Sequence, residues 1–406
     1  MKKSFLNSLG PGLLFAGAAI GVSHLVQSTK AGAEFGFGLF WALLLVHIFK
    51  YPFFQFGPRY AAATGETLLD GYKKLGKSVL AIYYVLNFAT MFTIQAAVTI
   101  VTAGLASQLF GFTNNLVVWS TFLMTISLLF LLVGKYKLLD NLMKYIIIIL
   151  TVSTIIAVSV ALFSSKEAFD VRQILPSGTV EITFLIAFLG WMPAPLDVSI
   201  WHSIWSVEKS KNTFIKIKPK DAIFDFNVGY ISTLILGICF VLLGALVMYN
   251  SGETFSNQGG KFASQLVTLY TKNLGEFSYI FIAIAAFTTM FSTTITSLDA
   301  SPRAMNRSSK LLFDKEFKFG YWFWIILLFI GTFIILQFFL KNMGSLVKIA
   351  TILSFLTAPI YAVLNYLLIS GKHTPKEHRP SIYLKTLSIL GIVFLIGFSV
   401  WFLTSI

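Results

Sequence analysis

Long apolar runs separated by short polar connections are the feature that most limits how this chain of 406 residues can fold. A helix needs about 20 apolar residues to cross a bilayer core of about 30 Å. Runs of that length recur along the whole sequence, and only 12% of the residues are charged, against about 25% in a soluble protein. One soluble core could not bury so much apolar surface. The pattern predicts an all-α polytopic membrane protein.

We predict eleven transmembrane spans and number them along the chain. They lie near residues 11–34, 37–62, 79–108, 113–134, 141–164, 180–205, 223–249, 275–299, 320–340, 346–370 and 382–404. The connections are short, so residues 1–406 form one transmembrane domain. The longest connection, near 250–275, is rich in Gly, Asn and Ser and is expected to be a loop.

The orientation follows from the basic residues in the connections. If the N-terminus is cytoplasmic, that side carries most loop lysines and arginines, and lysine and arginine favour the cytoplasmic side. The opposite side then has only Lys166, Arg172, Lys261, Lys272 and Lys341. We therefore expect an integral membrane protein, in the cytoplasmic membrane if the source is bacterial. Its N-terminus is expected inside and its C-terminus on the opposite side. The basic residues behind the net charge of +14 lie in short connections between apolar runs. This distribution is typical of membrane topology and argues against a nucleic-acid-binding surface.

Two predicted spans are interrupted near their middle. Span 1 contains GAAIGVSHLVQST, with Gly21, Ser23 and His24 in mid-span. Span 6 contains WMPAPLD, where Pro193 and Pro195 remove backbone donors. Broken backbone at membrane depth survives only when it is buried in protein or lines a cavity. Because the breaks are five spans apart, they predict a transporter of two inverted five-helix halves, 11–164 and 180–370, and an extra helix at 382–404.

The same segments resemble the NRAMP family of divalent-metal transporters, which has the LeuT-type fold. The resemblance starts with GPGLLFAGAAIGVSHLVQSTKAGAEFG in span 1 and continues through the tryptophan of FGLFWALLL and through Arg59 in span 2. Leu109-Phe110-Gly111 closes span 3, Met192-Pro193 lies in span 6, and Ser292-Thr293-Thr294 lies in span 8. Most of the chain is covered. The resemblance implies a 5+5 inverted repeat and transport of a small ion.

The residues that carry function in that family are changed here. The family's Asp-Pro-Gly-Asn break, whose Asp and Asn bind metal, is replaced by the four residues from Gly21 to His24. The two family carboxylates of span 3 that are associated with protons correspond to Gln95 and Val98. The methionine is present as Met192, but the nearby family histidine is Ala194. The resemblance therefore implies an altered binding site and no family-type proton coupling.

A dehydrated divalent ion needs negative charge close by, and Asp197 is the candidate nearest the span 6 break. We predict a substrate site at Gly21, Ser23, His24, Met192 and Asp197, with His24, Met192 and Asp197 as metal ligands. Imidazole and thioether favour borderline-soft ions. The alternative is that Asp197 pairs with a cation and His24 only bonds the broken backbone.

Other polar residues are candidates for coupling or for a buried charge. His47 and Lys50 lie three residues apart in span 2. Lys50 either supplies a fixed positive charge, which disfavours a bound cation, or extends to the membrane surface. His202 is a possible proton carrier. Resemblance to LeuT-type folds suggests a sodium site at Thr293 and Thr294, although such hydroxyls often bond their own helix.

Three functions remain open. The first is a secondary transporter of divalent metal ions with altered ligands. The second is a transporter of another small solute, organic or anionic and possibly sodium-coupled. The third is a non-transporting relative. No P-loop is present, so a primary pump is excluded, and no enzymatic activity is expected. The expected partners are the lipid bilayer and a small ion or solute, without nucleic acid or an obligate protein partner. No tightly bound cofactor is expected, and a divalent metal ion would be substrate.

Overall fold

A computed structural model describes residues 10–133, 136–164, 170–213, 217–249, 255–256, 259–275, 278–339 and 343–405. In this part of the chain the regular structure is helical, and no strand is present. The N-terminal lysines that contributed to the predicted orientation lie outside the described residues. The orientation of the termini stays a prediction, and so does the division of the chain into two five-helix halves.

Eleven helical segments overlap the predicted spans and keep their numbers. They are span 1 (helix 1a, Pro11–Ala19, and helix 1b, Ser23–Phe35), span 2 (Phe40–Thr64), span 3 (Lys77–Phe110), span 4 (Leu116–Leu132), span 5 (Tyr136–Ser164), span 6 (helix 6a, Thr179–Trp191, and helix 6b, Val198–Thr213), span 7 (Pro219–Val247), span 8 (Ser278–Phe313), span 9 (Gly320–Phe339), span 10 (Met343–Ser370) and span 11 (Ile382–Ser405). Short helices at Leu68–Leu75 and Lys376–His378 and a longer one at Gly259–Leu274 connect them.

Within the described residues, six helices are each long and apolar enough to cross a membrane. The pair 1a and 1b, bent by 45°, makes a seventh such span. Spans 4 to 6 contain shorter apolar helices, and span 2 carries Lys50 and Arg59 in its sequence. The chain is an all-helical membrane protein with many apolar spans, as the sequence predicts.

The connection at 250–275 differs from the predicted loop because it contains the helix Gly259–Leu274. Phe262, Ala263, Leu266 and Val267 are buried in that helix. Their three- and four-residue spacing puts them on one face, and the helix packs against span 3. Its polar residues occupy the other positions, which is why composition alone suggested a loop.

Span 8 continues beyond its predicted end at residue 299, as far as Phe313. Asp299 and Arg303 lie one turn apart and form an ion pair of 2.6 Å, and Arg303 also pairs with Glu208 of helix 6b at 3.0 Å. Pairs at this spacing stabilise a helix. Side-chain pairing therefore keeps the polar end of span 8 helical.

The two broken spans lie among the other helices. Span 7 packs along 1a, 1b and span 2, while 6b packs on span 2 and 6a on span 10. Span 3 packs on spans 8 and 10. The approach of 1b to span 7 depends on glycine, because a Cβ atom at Gly32 would collide with the carbonyl oxygen of Val241, and one at Gly244 with that of Thr29.

Candidate functional site

The break in span 1 lies at Ile20 and Gly21, between helix 1a and the π-helical turn that begins 1b at Ser23. Breaking a helix leaves carbonyl oxygens without their normal donors. The Ser23 hydroxyl lies 2.7 Å from the carbonyl oxygen of Ala19 and 3.3 Å from that of Pro193 in the span 6 break. One side chain therefore contacts the open backbone of both breaks.

His24 is fully buried and has protein oxygens at both ring nitrogens. Nε2 lies 2.9 Å from the carbonyl oxygen of Thr233 in span 7, and Nδ1 lies 2.7 Å from the Ser23 hydroxyl and 3.1 Å from the Ala19 carbonyl oxygen. In this arrangement neither nitrogen has a lone pair free for a metal ion. Metal binding by His24 stays a prediction that would require the ring to leave these contacts.

The break in span 6 runs from Met192 to Asp197, and the Met192–Pro193 peptide is cis. The open carbonyl groups at the end of helix 6a are bound by Lys50 of span 2. Its Nζ donates to the carbonyl oxygens of Leu189 at 2.7 Å, Gly190 at 2.8 Å and Ala194 at 3.5 Å. Lys50 is fully buried, so it does not extend to the membrane surface.

Asp197 follows the break and is 3% exposed. Its Oδ1 has no hydrogen-bond partner among the described residues, and none of their ion pairs within 4.0 Å involves Asp197. Asp197 interacts electrostatically with Lys50, Tyr83 and Tyr361. The two tyrosine hydroxyls also lack partners in the described part of the chain. Oδ1 of Asp197 and the hydroxyl groups of Tyr83 and Tyr361 are therefore buried polar atoms without a direct partner, and we call this set the polar cluster.

The predicted metal ligands divide between two places. The Met192 methyl group and the His24 ring both lie against Gly237 of span 7, where a Cβ atom would be 3.0 Å from the first and 3.8 Å from the second. Asp197 is in the polar cluster described above. No group of three or more His, Cys, Asp or Glu side chains suited to a metal ion occurs among the described residues.

His47 and His202 are packed in the interior. Nδ1 of His47 contacts the carbonyl oxygen of Leu43 at 2.8 Å, and its ring meets Tyr230 edge-on. His202 stacks on Phe15 with ring centroids 5.7 Å apart. Neither of its ring nitrogens has a hydrogen-bond partner in the described structure. These surroundings give both histidines a packing role, and a role in coupling stays a prediction.

Spans 3 and 8 are joined by an uncharged polar network. Gln95 accepts from the hydroxyl of Ser297 at 2.6 Å and donates to the carbonyl oxygen of Thr294 at 3.3 Å. The hydroxyl groups of Thr102 and Thr294 are 2.8 Å apart. The position that resembles a family carboxylate therefore carries a neutral amide in a bonded network.

The two predicted sodium ligands point to different helices. The Thr293 hydroxyl donates to the carbonyl oxygens of Gly17 in helix 1a at 3.2 Å and of Thr289 at 3.1 Å. The Thr294 hydroxyl contacts span 3 instead. Thr293 thus bonds directly across the gap between spans 1 and 8 where the ion was predicted.

A small cavity lies between spans 1, 3, 6 and 8. It encloses about 30 Å³, enough for about one or two water molecules. The residues that line it are Ala18, Ala19, Val22, Ser23, Ile94, Val98, Trp191, Pro195, Val198, Trp201, Thr293 and Ser297. Ser23 and Thr293 are the predicted site residues in this central cavity, and none of its lining residues is ionisable.

Helical register explains which cavity residues the sequence reasoning missed. Ser297 is one turn from Thr293 in span 8, so the two side chains lie on the same face of that helix. Trp201 is three residues from Val198 in helix 6b, and these two also share a face. Ile94 and Val98 are also one turn apart and line the cavity. Gln95 is rotated by about 100° from Ile94 and lies in the network with span 8.

Larger cavities lie away from the centre, and two of them are lined in part by charged residues. One of about 650 Å³ is lined by charged residues that include Glu208, Arg303 and Arg307. The other, of about 300 Å³, is lined in part by Gln27, Lys30 and Lys348. The central cavity is much smaller than these and is lined mostly by buried residues.

The family model for natural resistance-associated macrophage protein-like sequences (Nramp) matches residues 12–405. The chain belongs to the Nramp family. It is therefore a membrane transporter rather than an enzyme, and the resemblance seen in the sequence is confirmed. An uncharacterized protein of Pasteurella multocida is 37% identical over 404 residues, which are 98% of this chain and 92% of that protein.

Solved structures share the fold of this Nramp-family chain at low sequence identity. A manganese transporter of Eremococcus coleocola, in complex with an aromatic bis-isothiourea compound, superposes with a TM-score of 0.73 at 12% identity, covering 99% of this chain and 88% of that one. The nucleobase-cation-symport-1 family transporter Mhp1, with bromovinylhydantoin bound, gives 0.62 at 15% identity, covering 98% and 93%. MhsT with L-phenylalanine gives 0.61 at 14% identity, covering 98% of each chain. The LeuT-type fold predicted from the sequence is confirmed.

Proposed function

We propose that this Nramp-family transporter moves a small organic solute with an anionic or strongly hydrogen-bond-accepting group, such as a carboxylate, and not a bare divalent metal ion. The observation that carries the proposal is the lining of the central cavity. Its polar side chains are three hydroxyl groups and the Trp191 and Trp201 indoles, without a carboxylate, imidazole or thioether.

A divalent cation in such a cavity would be poorly stabilised. Removing an ion from water costs many kcal/mol unless charged or strongly polar ligands replace the water. The hydroxyl groups of Ser23, Thr293 and Ser297 carry no charge. The carboxylate of Asp197 and the ring of His24 are not part of the lining. The charge needed to replace the hydration shell of a metal ion is therefore missing from this cavity.

The cavity of about 30 Å³ must widen to admit an organic solute, and several of its features favour an acceptor group on that solute. Trp201 is 3% exposed, and its Nε1, which can only donate, has no partner among the described residues. Helices 1b and 6b begin beside the cavity at Ser23 and Val198. Helix N-termini carry partial positive charge and direct N–H groups outward. Broken helices in transporters bind anionic substrate groups in this way.

The opposite ends of the broken helices would favour a cation, but one of them is neutralised. The Lys50 ammonium group binds the last carbonyl groups of helix 6a, at Leu189 and Gly190. The hydrogen bonds from Lys50 therefore offset the partial negative charge of that helix end. This leaves the N-terminal ends of 1b and 6b as the stronger electrostatic influence on a solute.

The network between spans 3 and 8 supports transport without the family-type proton coupling. Gln95 does not titrate, and Val98, at the second family position, is apolar. Sodium coupling through Thr293 is compatible with the proposal if the Thr293–Gly17 hydrogen bond opens to admit an ion. A sodium gradient therefore belongs in the transport assay.

Divalent metal transport is the second candidate. It is favoured by membership of the Nramp family, by the fold shared with a manganese transporter and by the approach of Met192 and His24 at Gly237. It requires a rearrangement that brings these donors and Asp197 to one ion.

The test is the thermal unfolding of the purified full chain with short carboxylates, amino acids, Mn²⁺ and Zn²⁺. A ligand that binds only the folded state stabilises it by about 2.7 kcal/mol at 100 times its Kd. We expect saturable stabilisation by an organic acid, weakened at least about tenfold in affinity by Trp201→Phe, which removes one hydrogen bond to a charged group. Trp401→Phe, on span 11, is the matched control and should leave affinity unchanged.

Uptake of the stabilising ligand into proteoliposomes, with and without a sodium gradient, then tests transport. Saturable stabilisation by Mn²⁺ or Zn²⁺ that is lost in His24→Ala and Asp197→Asn would reject the proposal in favour of metal transport. Absence of flux for every ligand that binds would favour a non-transporting relative.

A further inference from the structure

Lys50 has an unusual set of contacts for a side chain in the middle of a membrane span. It is among the largest fully buried side chains of the described residues. Its Nζ donates to Leu189 and Gly190 at 2.7 and 2.8 Å and is 3.5 Å from the Ala194 oxygen. All three acceptors are carbonyl oxygens at the span 6 break. An ammonium group surrounded by backbone carbonyls has the coordination expected of a small bound cation.

The need for a cation at this point follows from the sequence of span 6. The last carbonyl groups of a helix have no donor within it, and Pro193 and Pro195 have no N–H to offer. Buried carbonyl groups without partners are costly. The helix end also has partial negative charge, so a positively charged donor stabilises it more than a neutral one. Water or a dissolved cation would be the alternatives to Lys50.

We propose that Lys50 is a built-in cation. Its ammonium group occupies a carbonyl-lined cation site at the break of span 6 and holds helix 6a to Ala194 without any dissolved ion. Lys50 is therefore a positioning residue. It fixes the geometry of the break beside the central cavity, whichever solute the cavity takes.

Asp197 supplies the balancing negative charge. It lies beyond ion-pair distance, but it is buried and only three residues from Ala194, whose carbonyl oxygen is 3.5 Å from the Lys50 Nζ. Burying one charge without a compensating one is strongly unfavourable. The two groups are on different spans, so their attraction also holds span 2 to the start of helix 6b.

The first test replaces the built-in cation with a dissolved one. Lys50→Ala removes the ammonium group and leaves space beside the carbonyl groups, while Lys50→Met fills that space with an uncharged chain. We expect both variants, purified as full chains in choline chloride, to unfold several degrees below wild type. Methylammonium chloride should raise the unfolding temperature of Lys50→Ala and reverse at least half of the decrease that the substitution causes. This effect should saturate as the methylammonium concentration rises. It should have no such effect on Lys50→Met or wild type.

The second test removes both charges and applies even if Lys50→Ala does not fold. Lys50→Met with Asp197→Asn should unfold at a higher temperature than Lys50→Met alone, because no uncompensated carboxylate is left. Additive losses in this double-mutant cycle would overturn the proposal. So would a folded Lys50→Ala protein that recovers no stability with methylammonium, ammonium, sodium or potassium.

Discussion

The hydroxyl oxygen of Ser23 lies 3.3 Å from the carbonyl oxygen of Pro193, so a single side chain connects the break in span 1 with the break in span 6. The same oxygen is 2.7 Å from the Ala19 carbonyl oxygen and from Nδ1 of His24. One hydroxyl proton is thus shared among three acceptors at the centre of the molecule. The two broken segments are therefore in direct hydrogen-bond contact.

We predict that Ser23→Ala destabilises the protein by about 1–3 kcal/mol, because it leaves buried acceptors without their donor. Thermal unfolding of the purified chain measures the loss. The control is Thr125→Ala, whose exposed hydroxyl donates to the carbonyl oxygen of Thr121 in its own helix and should change stability by less than about 0.5 kcal/mol. If the two substitutions lowered stability equally, the contact between the breaks would contribute no more to stability than an exposed hydroxyl group does.

Gly21, which the sequence resemblance aligns with the family's metal-binding aspartate, faces Thr293. A Cβ atom at Gly21 would be 3.1 Å from both Cγ2 and Oγ1 of Thr293. An aspartate there needs more space than the wild-type protein offers. We predict that Gly21→Asp together with Thr293→Ala creates saturable thermal stabilisation by Mn²⁺, because it adds a carboxylate beside the central cavity.

Gly21→Asn with Thr293→Ala is the matched control for this prediction. It has nearly the same shape but no negative charge, so its response to Mn²⁺ should be at least about tenfold weaker. If the aspartate variant folds and shows no more response than the asparagine variant, a carboxylate at position 21 is insufficient for metal binding in this scaffold.

Asp225 of span 7 holds the start of helix 1a. Its two carboxylate oxygens accept from the backbone N–H groups of Gly10 at 2.9 Å and Gly12 at 2.8 Å. Hydrogen bonds to a charged group at a helix N-terminus are worth about 1.5–3 kcal/mol. We predict that Asp225→Asn increases amide hydrogen exchange in residues 10–19 by about tenfold to a hundredfold through local opening, while residues 29–35 stay protected.

Asp221→Asn is the control for the helix 1a prediction. Asp221 is in the first turn of the same span and is exposed, so its loss should not change exchange in helix 1a. Exchange that rises equally in helices 1a and 1b after Asp225→Asn would indicate general destabilisation and would contradict a local role for the carboxylate.

The sequence alone determined the features that depend on chain-local chemistry. Apolar runs of bilayer length fixed the spans, because lipid leaves no other place for that much apolar surface. Glycine and proline located the breaks at Gly21 and Pro193, because these residues weaken or interrupt the helical hydrogen-bond ladder. The family followed from the same segments. The helix at 259–274 was missed because its buried face was masked by an otherwise polar composition.

Tertiary structure alone decided which side chains meet. His24, Met192 and Asp197 lie close to the breaks in sequence, yet the fold places His24 and Met192 against span 7 and leaves Oδ1 of Asp197 buried without a partner among the described residues. Lys50 could have extended to the membrane surface or bound within the protein. The orientation of the Lys50 side chain depends on where the carbonyl groups of helix 6a lie. The sequence around Lys50 does not specify that position. Contacts between distant segments depend on the packing of whole helices, so the chemistry of the central cavity became visible only in the folded chain.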